Sequence, residues 1–258
     1  MKHIFYLLFV TVSLATCTSP QTQQTDAITD TGAIKGKTYT LVPMTSNLQY
    51  KTAPSISMHD YRNGNIAFNI QNFNLGTSTT GAAEQEFPNN EQLGQHVTVF
   101  IDGKEMGKTN KPIIPYQLND GKYVLTAALT TSYNETLKNE GASFTRRIIV
   151  RDGSIFAHSD VRPEVIMYHQ PSGTFSGEAA KRVPLDFYMY NVDIKGAYRI
   201  LLDINNGKDQ FYLNSWQPYY IEGLPAGENI VKLYLVYTNG ELVDVPVNVV
   251  QQTFTVAP

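Results

Sequence analysis

Hydrophobic residues alternate with polar ones over short stretches of the chain, and Gly, Pro and Asn separate these stretches. Val97, Val99 and Ile101 occupy alternate positions of one such stretch, and Asp102 and Gly103 follow at once. A period of two gives a strand with one face toward a core, and Asp-Gly is typical of a two-residue hairpin turn. Short strands of this kind along the whole chain predict an all-β protein.

The same order of strands and turns occurs twice. In the first copy, a strand ending at Gly103 is followed by a Pro-led strand, a turn at Gly121 and a fourth strand. The second copy has Gly207 and Gly227 at the matching positions, roughly 100 residues later. The repeat predicts two tandem immunoglobulin-like β-sandwich domains.

The repeat also suggests domain boundaries. We expect the first sandwich at residues 37–150, a linker at 151–159 and the second sandwich at 160–258. An apolar strand at Val165–Tyr168 opens the second domain. A capping-box spacing and a Gly stop in Ser132–Gly141 predict one or two helical turns there.

The N-terminus has the pattern of a bacterial lipoprotein signal. The apolar run 4–15, about 12 residues long, is too short to span a membrane as a helix and has the length of a signal-peptide core. It ends in Leu14–Cys17, which resembles a lipobox, where the Cys is lipidated. We predict a signal peptide at 1–16 and lipidation of Cys17; the alternative is an ordinary secretory signal. The residue after Cys17 is Thr18, whereas lipoproteins kept in the inner membrane usually have Asp at this position. Thr18 therefore favours the outer membrane.

The segment that follows is predicted to be a flexible tether. Residues 17–36 consist mainly of Thr, Gln, Ser, Asp and Gly, which bury too little apolar surface to offset the entropy of ordering. We therefore expect a protein that is lipid-anchored in the bacterial outer membrane and either periplasmic or surface-exposed.

Composition excludes several classes of partner and site. The net charge of −3 is too close to neutrality for an electrostatic nucleic-acid binder. Hydrophobic residues at 42% and charged residues at 17% indicate a folded chain. A single Cys excludes an internal disulfide and a multi-cysteine metal site. No spacing indicates a cofactor.

Four sequence segments resemble those of a known group of proteins: Gln71–Gly76, Ser132–Lys138, Leu185–Tyr188 and Trp216–Asn229. They resemble two-domain bacterial envelope lipoproteins that are named phosphopeptide-binding proteins and have no established function. The resemblance covers most of the chain after the tether, and Trp216–Asn229 is its most specific part.

The resemblance also implies histidines that this chain lacks. The group would have a His-x-His at the strand that begins with His96, and another His in the phrase around residue 134. Thr98 and Asn134 stand at these positions. One imidazole does not make a metal site, so we predict none.

Candidate catalytic and metal-binding groups each have a simpler interpretation. Asp203–Asp209 has alternate oxygen side chains like a calcium loop, but Asn214 stands where a bidentate Glu would be required, which favours a hairpin turn. His59-Asp60 and His158–Asp160 pair an imidazole with a carboxylate beside turns, which favours solvated loops. No catalytic residue is predicted.

Arginines and tyrosines are candidates for binding. Arg146 and Arg147 are adjacent, so in a strand they point to opposite faces and form no single phosphate clamp. Tyr188, Tyr190 and Tyr234 fall on the polar phase of their strands and are predicted to form an exposed aromatic strip. The aromatic residues in 216–220 could stack on sugar rings, but their composition favours core packing.

Two function classes stay open. The first is a non-catalytic binding or scaffolding module whose partner is an envelope protein, a peptide or a glycan. The second is a hydrolase or metal-dependent enzyme with a site between the domains. A cleft lined by two or more of a set of five residues would favour the enzyme, and an exposed aromatic strip would favour binding. The five are His96, His158, Asp160, Glu164 and His169.

Overall fold

The computed structural model describes residues 31–36, 38–44, 50, 52–79, 92–245 and 248–258. The predicted signal peptide, Cys17 and the part of the predicted tether before residue 31 lie outside the described residues. Within the described ranges, no helix is long and apolar enough to cross a membrane.

The regular secondary structure of the described chain is almost entirely β-strand. The strands up to residue 160 are β1 (Thr31–Lys35), β2 (Thr40–Pro43), β3 (Ser55–Arg62), β4 (Asn65–Gln71), β5 (His96–Ile101), β6 (Lys104–Thr109), β7 (Ile113–Pro115), β8 (Gly121–Thr130), β9 (Ser143–Arg151) and β10 (Ser154–Asp160). The later elements are β11 (Val165–Gln170), β12 (Thr174–Phe175), α1 (Glu178–Lys181), β13 (Arg182–Tyr190), β14 (Tyr198–Ile204), β15 (Asp209–Leu213), β16 (Tyr219–Glu222), β17 (Gly227–Tyr237) and β18 (Val250–Val256).

Strands β3 to β10 form the first sandwich. Their order is β6-β5-β8-β9-β10-β3-β4-β7, and β10 joins β3 through one residue pair, Ser154 with Arg62. The sheet folds over at this junction, because β3 also contacts β8 and β9. Buried residues from both layers, including Tyr61, Val99 and Leu125, share one core.

Two sheets form the second sandwich. One has the order β1-β15-β14-β17-β18-β12, and the other has the order β11-β13-β16-β2. Leu202 and Leu233 of the first sheet share a buried core with Leu185 and Ile221 of the second. The predicted all-β fold with two β-sandwiches is confirmed.

The first sandwich is inserted into the second. β1 and β2 precede the first sandwich in the chain, but β1 pairs with β15 and β2 pairs with β16. Tyr39 and Leu41 are buried in the second core, at 4% and 6% exposure. The predicted boundaries are wrong here: the end of the tether is a strand, and the start of the region 37–150 belongs to the second sandwich.

The predicted linker is also wrong. Asp152 and Gly153 have φ of 51° and 68°, which makes a tight turn between β9 and β10. Most of 151–159 therefore lies in a hairpin of the first sandwich, and the chain passes to the second sandwich between β10 and β11. The predicted opening strand at Val165 is confirmed as β11.

The predicted helical turns at 132–141 are wrong. Thr131 donates its backbone N–H to the Glu135 carbonyl at 2.9 Å, and Leu137 donates to the Leu129 carbonyl at 2.9 Å. These bonds fold the segment back on β8 as a tight loop. The α1 helix lies elsewhere, between β12 and β13.

Candidate functional site

The predicted tyrosine strip does not exist as a single surface. Tyr188 is 2% exposed, and its hydroxyl accepts a hydrogen bond from Ser143 Oγ of the first sandwich at 2.9 Å. Burial raises the pKa of Tyr188. Tyr190 is half-buried on the same strand, whereas Tyr234 lies on β17 in the other sheet. The outer face of β13 is covered by the first sandwich, so the exposure expected for Tyr188 is wrong.

A buried apolar cluster joins the two sandwiches. Its members come from β5, from β11 and the segment before it, and from β13: Phe100, Val161, Val165, Met167 and Tyr188. Trp216 and Tyr190 pack against it as half-buried residues. A second, smaller cluster contains Met44, Tyr133 and Tyr220.

An ion pair crosses the same interface. Lys138 Nζ lies 2.5 Å from Asp186 Oδ1, and the Asp186 side chain is fully buried. Asp186 Oδ2 accepts hydrogen bonds from Thr136 N at 2.9 Å and Thr136 Oγ1 at 2.8 Å. The loop that follows β8 is thereby fixed to β13 of the second sandwich.

A cleft of about 490 Å³ opens beside this ion pair. Three segments line it: the region before β3, the loop after β8, and the second-sandwich residues around β2 and β16. The lining residues are Met44, Tyr50, Ala53, Pro54, Glu135, Leu137, Lys138, Asn139, Trp216, Gln217 and Pro218. Its volume lies in the range typical of small-molecule sites, about 300–1,000 Å³.

The indole of Trp216 is held in place in the cleft wall. Trp216 Nε1 donates to the Phe187 carbonyl at 3.0 Å. The Tyr188 ring meets the indole edge-on at a centroid distance of 5.6 Å, and Lys138 Nζ lies 5.7 Å from the ring centroid. The ring is thus fixed before any ligand arrives.

A tyrosine and a glutamate place polar groups deep in the cleft. The Tyr50 hydroxyl is buried and has no hydrogen-bond partner in the described structure. Burial and the charge of Glu135 raise the pKa of Tyr50 to about 12, so the hydroxyl keeps its proton. The Glu135 residue is 2% exposed, and the same carboxylate raises the pKa of Tyr133 after the larger effect of burial.

A second polar cluster lies elsewhere along the interface. His169 Nδ1 is 3.1 Å from Glu105 Oε2, and Lys108 Nζ is 3.7 Å from Glu105 Oε1. His96 and His169 are 0% and 1% exposed, and neither Nε2 has a hydrogen-bond partner in the described structure. Burial lowers the pKa of His96 to about 4, assisted by the charges of Lys108 and His169.

The charge of Glu105 is stabilised within this cluster. Burial alone would raise the pKa of Glu105, but the hydrogen bond with His169 and the charge of Lys108 outweigh it and lower the pKa. A cavity of about 580 Å³ is lined by Glu105, His169 and Ser172. Across the described part of the chain, no group of three His, Cys, Asp or Glu residues could hold a metal ion.

Of the five residues proposed for an inter-domain enzyme site, His96 and His169 share one buried cluster, and the other three lie apart from it. His169 lines the cavity of about 580 Å³ at the interface, whereas His96 is fully buried and is not among its lining residues. His158 and Asp160 are exposed on β10, and the Glu164 carboxylate accepts a hydrogen bond from the Tyr198 hydroxyl. Neither a described cleft lined by two or more of these five residues nor the predicted exposed aromatic strip is therefore present.

The remaining candidates have structural roles. Asp203 Oδ1 accepts from Gly207 N at 2.7 Å, and Asp209 Oδ2 accepts from Thr38 N and Tyr39 N at 2.8 Å each. These contacts stabilise a hairpin turn and the start of β2, in place of a calcium loop.

The arginines and the isolated histidine also lie apart from the cleft. Arg146 forms an ion pair with Asp160, whereas its neighbour Arg147 is exposed. His59 is exposed on β3. None of these side chains lines the cleft.

Known proteins offer limited comparison. No family model matches the chain, and no curated protein matches it in sequence. The fibronectin(III)-like modules of Clostridium thermocellum CbhA are similar at 10% identity, with 80% of this chain and 94% of that chain covered and a TM-score of 0.29. The Bacteroides ovatus mixed-linkage glucan protein SGBP-B, solved with a heptasaccharide, is 16% identical, with 80% and 48% covered and a TM-score of 0.21. The resemblance to envelope lipoproteins stays a prediction.

Proposed function

We propose that this protein is a non-catalytic binding or scaffolding module, anchored to the bacterial outer membrane by lipid on Cys17. The observation that carries the binding role is the inter-domain cleft with the fixed indole of Trp216 in its wall. An aromatic ring beside a few polar groups in a cleft between domains is a typical ligand site. An envelope protein, a peptide or a glycan is the partner class.

The inserted topology defines how such an anchor would hold the protein. From Cys17 to Thr31 there are 14 residues, which reach at most about 50 Å when extended. Since β1 belongs to the second sandwich, the tether would connect the membrane to that sandwich.

The described lining gives little support to a phosphorylated ligand. Lys138 is the one cation among the described lining residues, and its charge is paired with Asp186. Phosphate recognition requires a cluster of available cationic donors. A phosphopeptide is therefore not the partner that we propose.

Site-specific photocrosslinking in cells tests the binding role. A photoreactive amino acid at Gln217, in the cleft, is expected to crosslink a discrete envelope partner. The matched control places the same amino acid at Tyr237, which is exposed on β17 and does not line the cleft. Equal labelling from both positions, or none from Gln217, would contradict a binding role for the cleft.

One observation favours a second candidate, an enzyme with an inter-domain site. Glu105 orients the His169 imidazole and leaves its Nε2 without a partner, as in a general base. Ser172 lines the same cavity as His169, and its backbone N–H donates to Gln170 Oε1 at 3.1 Å. Substrate turnover that is lost in His169→Gln would favour the enzyme.

A further inference from the structure

The described cleft lining combines an apolar ring with polar groups of nearly balanced charge. Lys138 and Glu135 are its two ionisable charged side chains in the described part, and Lys138 is already paired with Asp186. An anionic ligand would find no uncompensated cation among the described lining residues to offset its desolvation. The described lining therefore disfavours a ligand with negative charge.

The Tyr50 hydroxyl indicates what the ligand must supply. It is buried, protonated and unpartnered, which leaves a hydrogen-bond donor and acceptor unsatisfied. Such a group costs free energy until a partner reaches it. A ligand hydroxyl both donates and accepts, so it satisfies the phenol in either direction.

Three backbone N–H groups of the cleft lining are already used within the protein. Met44 N donates to the Pro218 carbonyl at 2.9 Å, and Leu137 N donates to the Leu129 carbonyl at 2.9 Å. Glu135 N donates to Thr131 Oγ1 at 3.0 Å. These N–H groups are used within the protein, and a peptide that adds to a sheet edge depends on free ones.

A neutral saccharide matches all three features. Its C–H face packs on an aromatic ring, its hydroxyls pair with phenol and amide groups, and it carries no net charge. We propose that the ligand of the inter-domain cleft is a neutral saccharide, which contacts Trp216 with a ring face and Tyr50 with a hydroxyl. This inference rests on the proposed function, because it assigns a ligand class to the same cleft.

Trp216 is the single Trp of the chain, so intrinsic fluorescence reports directly on the cleft. The full chain, purified in detergent, is titrated with cellohexaose, laminarihexaose, xylohexaose, maltohexaose and mannohexaose. At least one is expected to change the indole emission saturably and to protect it from acrylamide quenching. A heparin hexasaccharide, a phosphoserine peptide and a proline-rich peptide are the competing probes.

Two variants separate the cleft from the rest of the molecule. Tyr50→Phe keeps the ring and removes the hydroxyl, so binding should weaken about three- to tenfold without loss of thermal stability. Tyr237→Phe removes an exposed hydroxyl outside the cleft and should leave binding unchanged. Gln217→Ala removes the side-chain amide of Gln217 from the cleft lining. The change carries little risk to folding, because Gln217 is not in the buried core.

Defined outcomes overturn the proposal. If no neutral oligosaccharide alters the fluorescence, or if a peptide or heparin binds in the cleft instead, the ligand class is wrong. Equal weakening by Tyr50→Phe and Tyr237→Phe would also overturn it. If the saccharide proposal fails but Gln217 still crosslinks a partner, the binding role of the cleft stands. If Gln217 crosslinks no partner either, both proposals are wrong.

Discussion

The interdomain ion pair between Lys138 and Asp186 makes a quantitative prediction about stability. Asp186 is fully buried, and it accepts one charged hydrogen bond from Lys138 and two neutral ones from Thr136. Lys138→Met removes the countercharge and leaves a buried carboxylate with neutral donors only. Removing one partner of a buried pair costs about 3–5 kcal/mol, which is a large part of the stability of an ordinary domain.

Urea denaturation followed by circular dichroism measures this loss. The matched control is Lys181→Met, because Lys181 and its partner Glu178 are 68% and 88% exposed at the side chain. An exposed pair contributes about 0–1 kcal/mol, so the control should change the free energy of unfolding little. A loss below about 1 kcal/mol in Lys138→Met, or equal losses in both variants, would refute the assignment of a buried countercharge.

Three further predictions concern other parts of the molecule. The pKa of His96 is lowered to about 4, so between pH 6.5 and 4 the unfolded chain binds a proton at His96 that the folded chain does not bind. The free energy of unfolding should therefore fall by up to about 3 kcal/mol as the pH drops from 6.5 to 4. Thermal melts of His96→Gln should show a weaker dependence of stability on pH. Leu41→Asp places a charge in the second core and should destabilise the second sandwich, which hydrogen exchange would show as lost protection in β16; unchanged protection would contradict the inserted topology. Cys17→Ser should release the protein from the membrane fraction of cells, and unchanged membrane association would contradict lipid anchoring.

Local patterns in the sequence predicted the strands and turns well. Asp102 and Gly103 adopt φ of 49° and 80°, the positive values that an Asp-Gly hairpin turn requires. The alternation of Val97, Val99 and Ile101 corresponds to their burial in the first core. Each of these features depends on residues close together in the chain.

Features that depend on distant residues were not predictable in the same way. β2 pairs with β16 through backbone hydrogen bonds, which many short extended segments can form, so no side-chain signal marks the insertion. Tyr188 lies on the predicted outward face of its strand, but the first sandwich covers that face. Lys138 and Asp186 are 48 residues apart, and only the folded topology brings them together.

The central claim is that the inter-domain cleft binds an envelope ligand, and Trp216 allows a direct test. Biosynthetic fluorotryptophan gives one fluorine NMR resonance, since the chain has one Trp. Titration with separated saccharide and protein fractions of the solubilised envelope should shift this resonance saturably, and Tyr50→Phe should require more of the active fraction. A resonance that neither fraction moves would contradict the account.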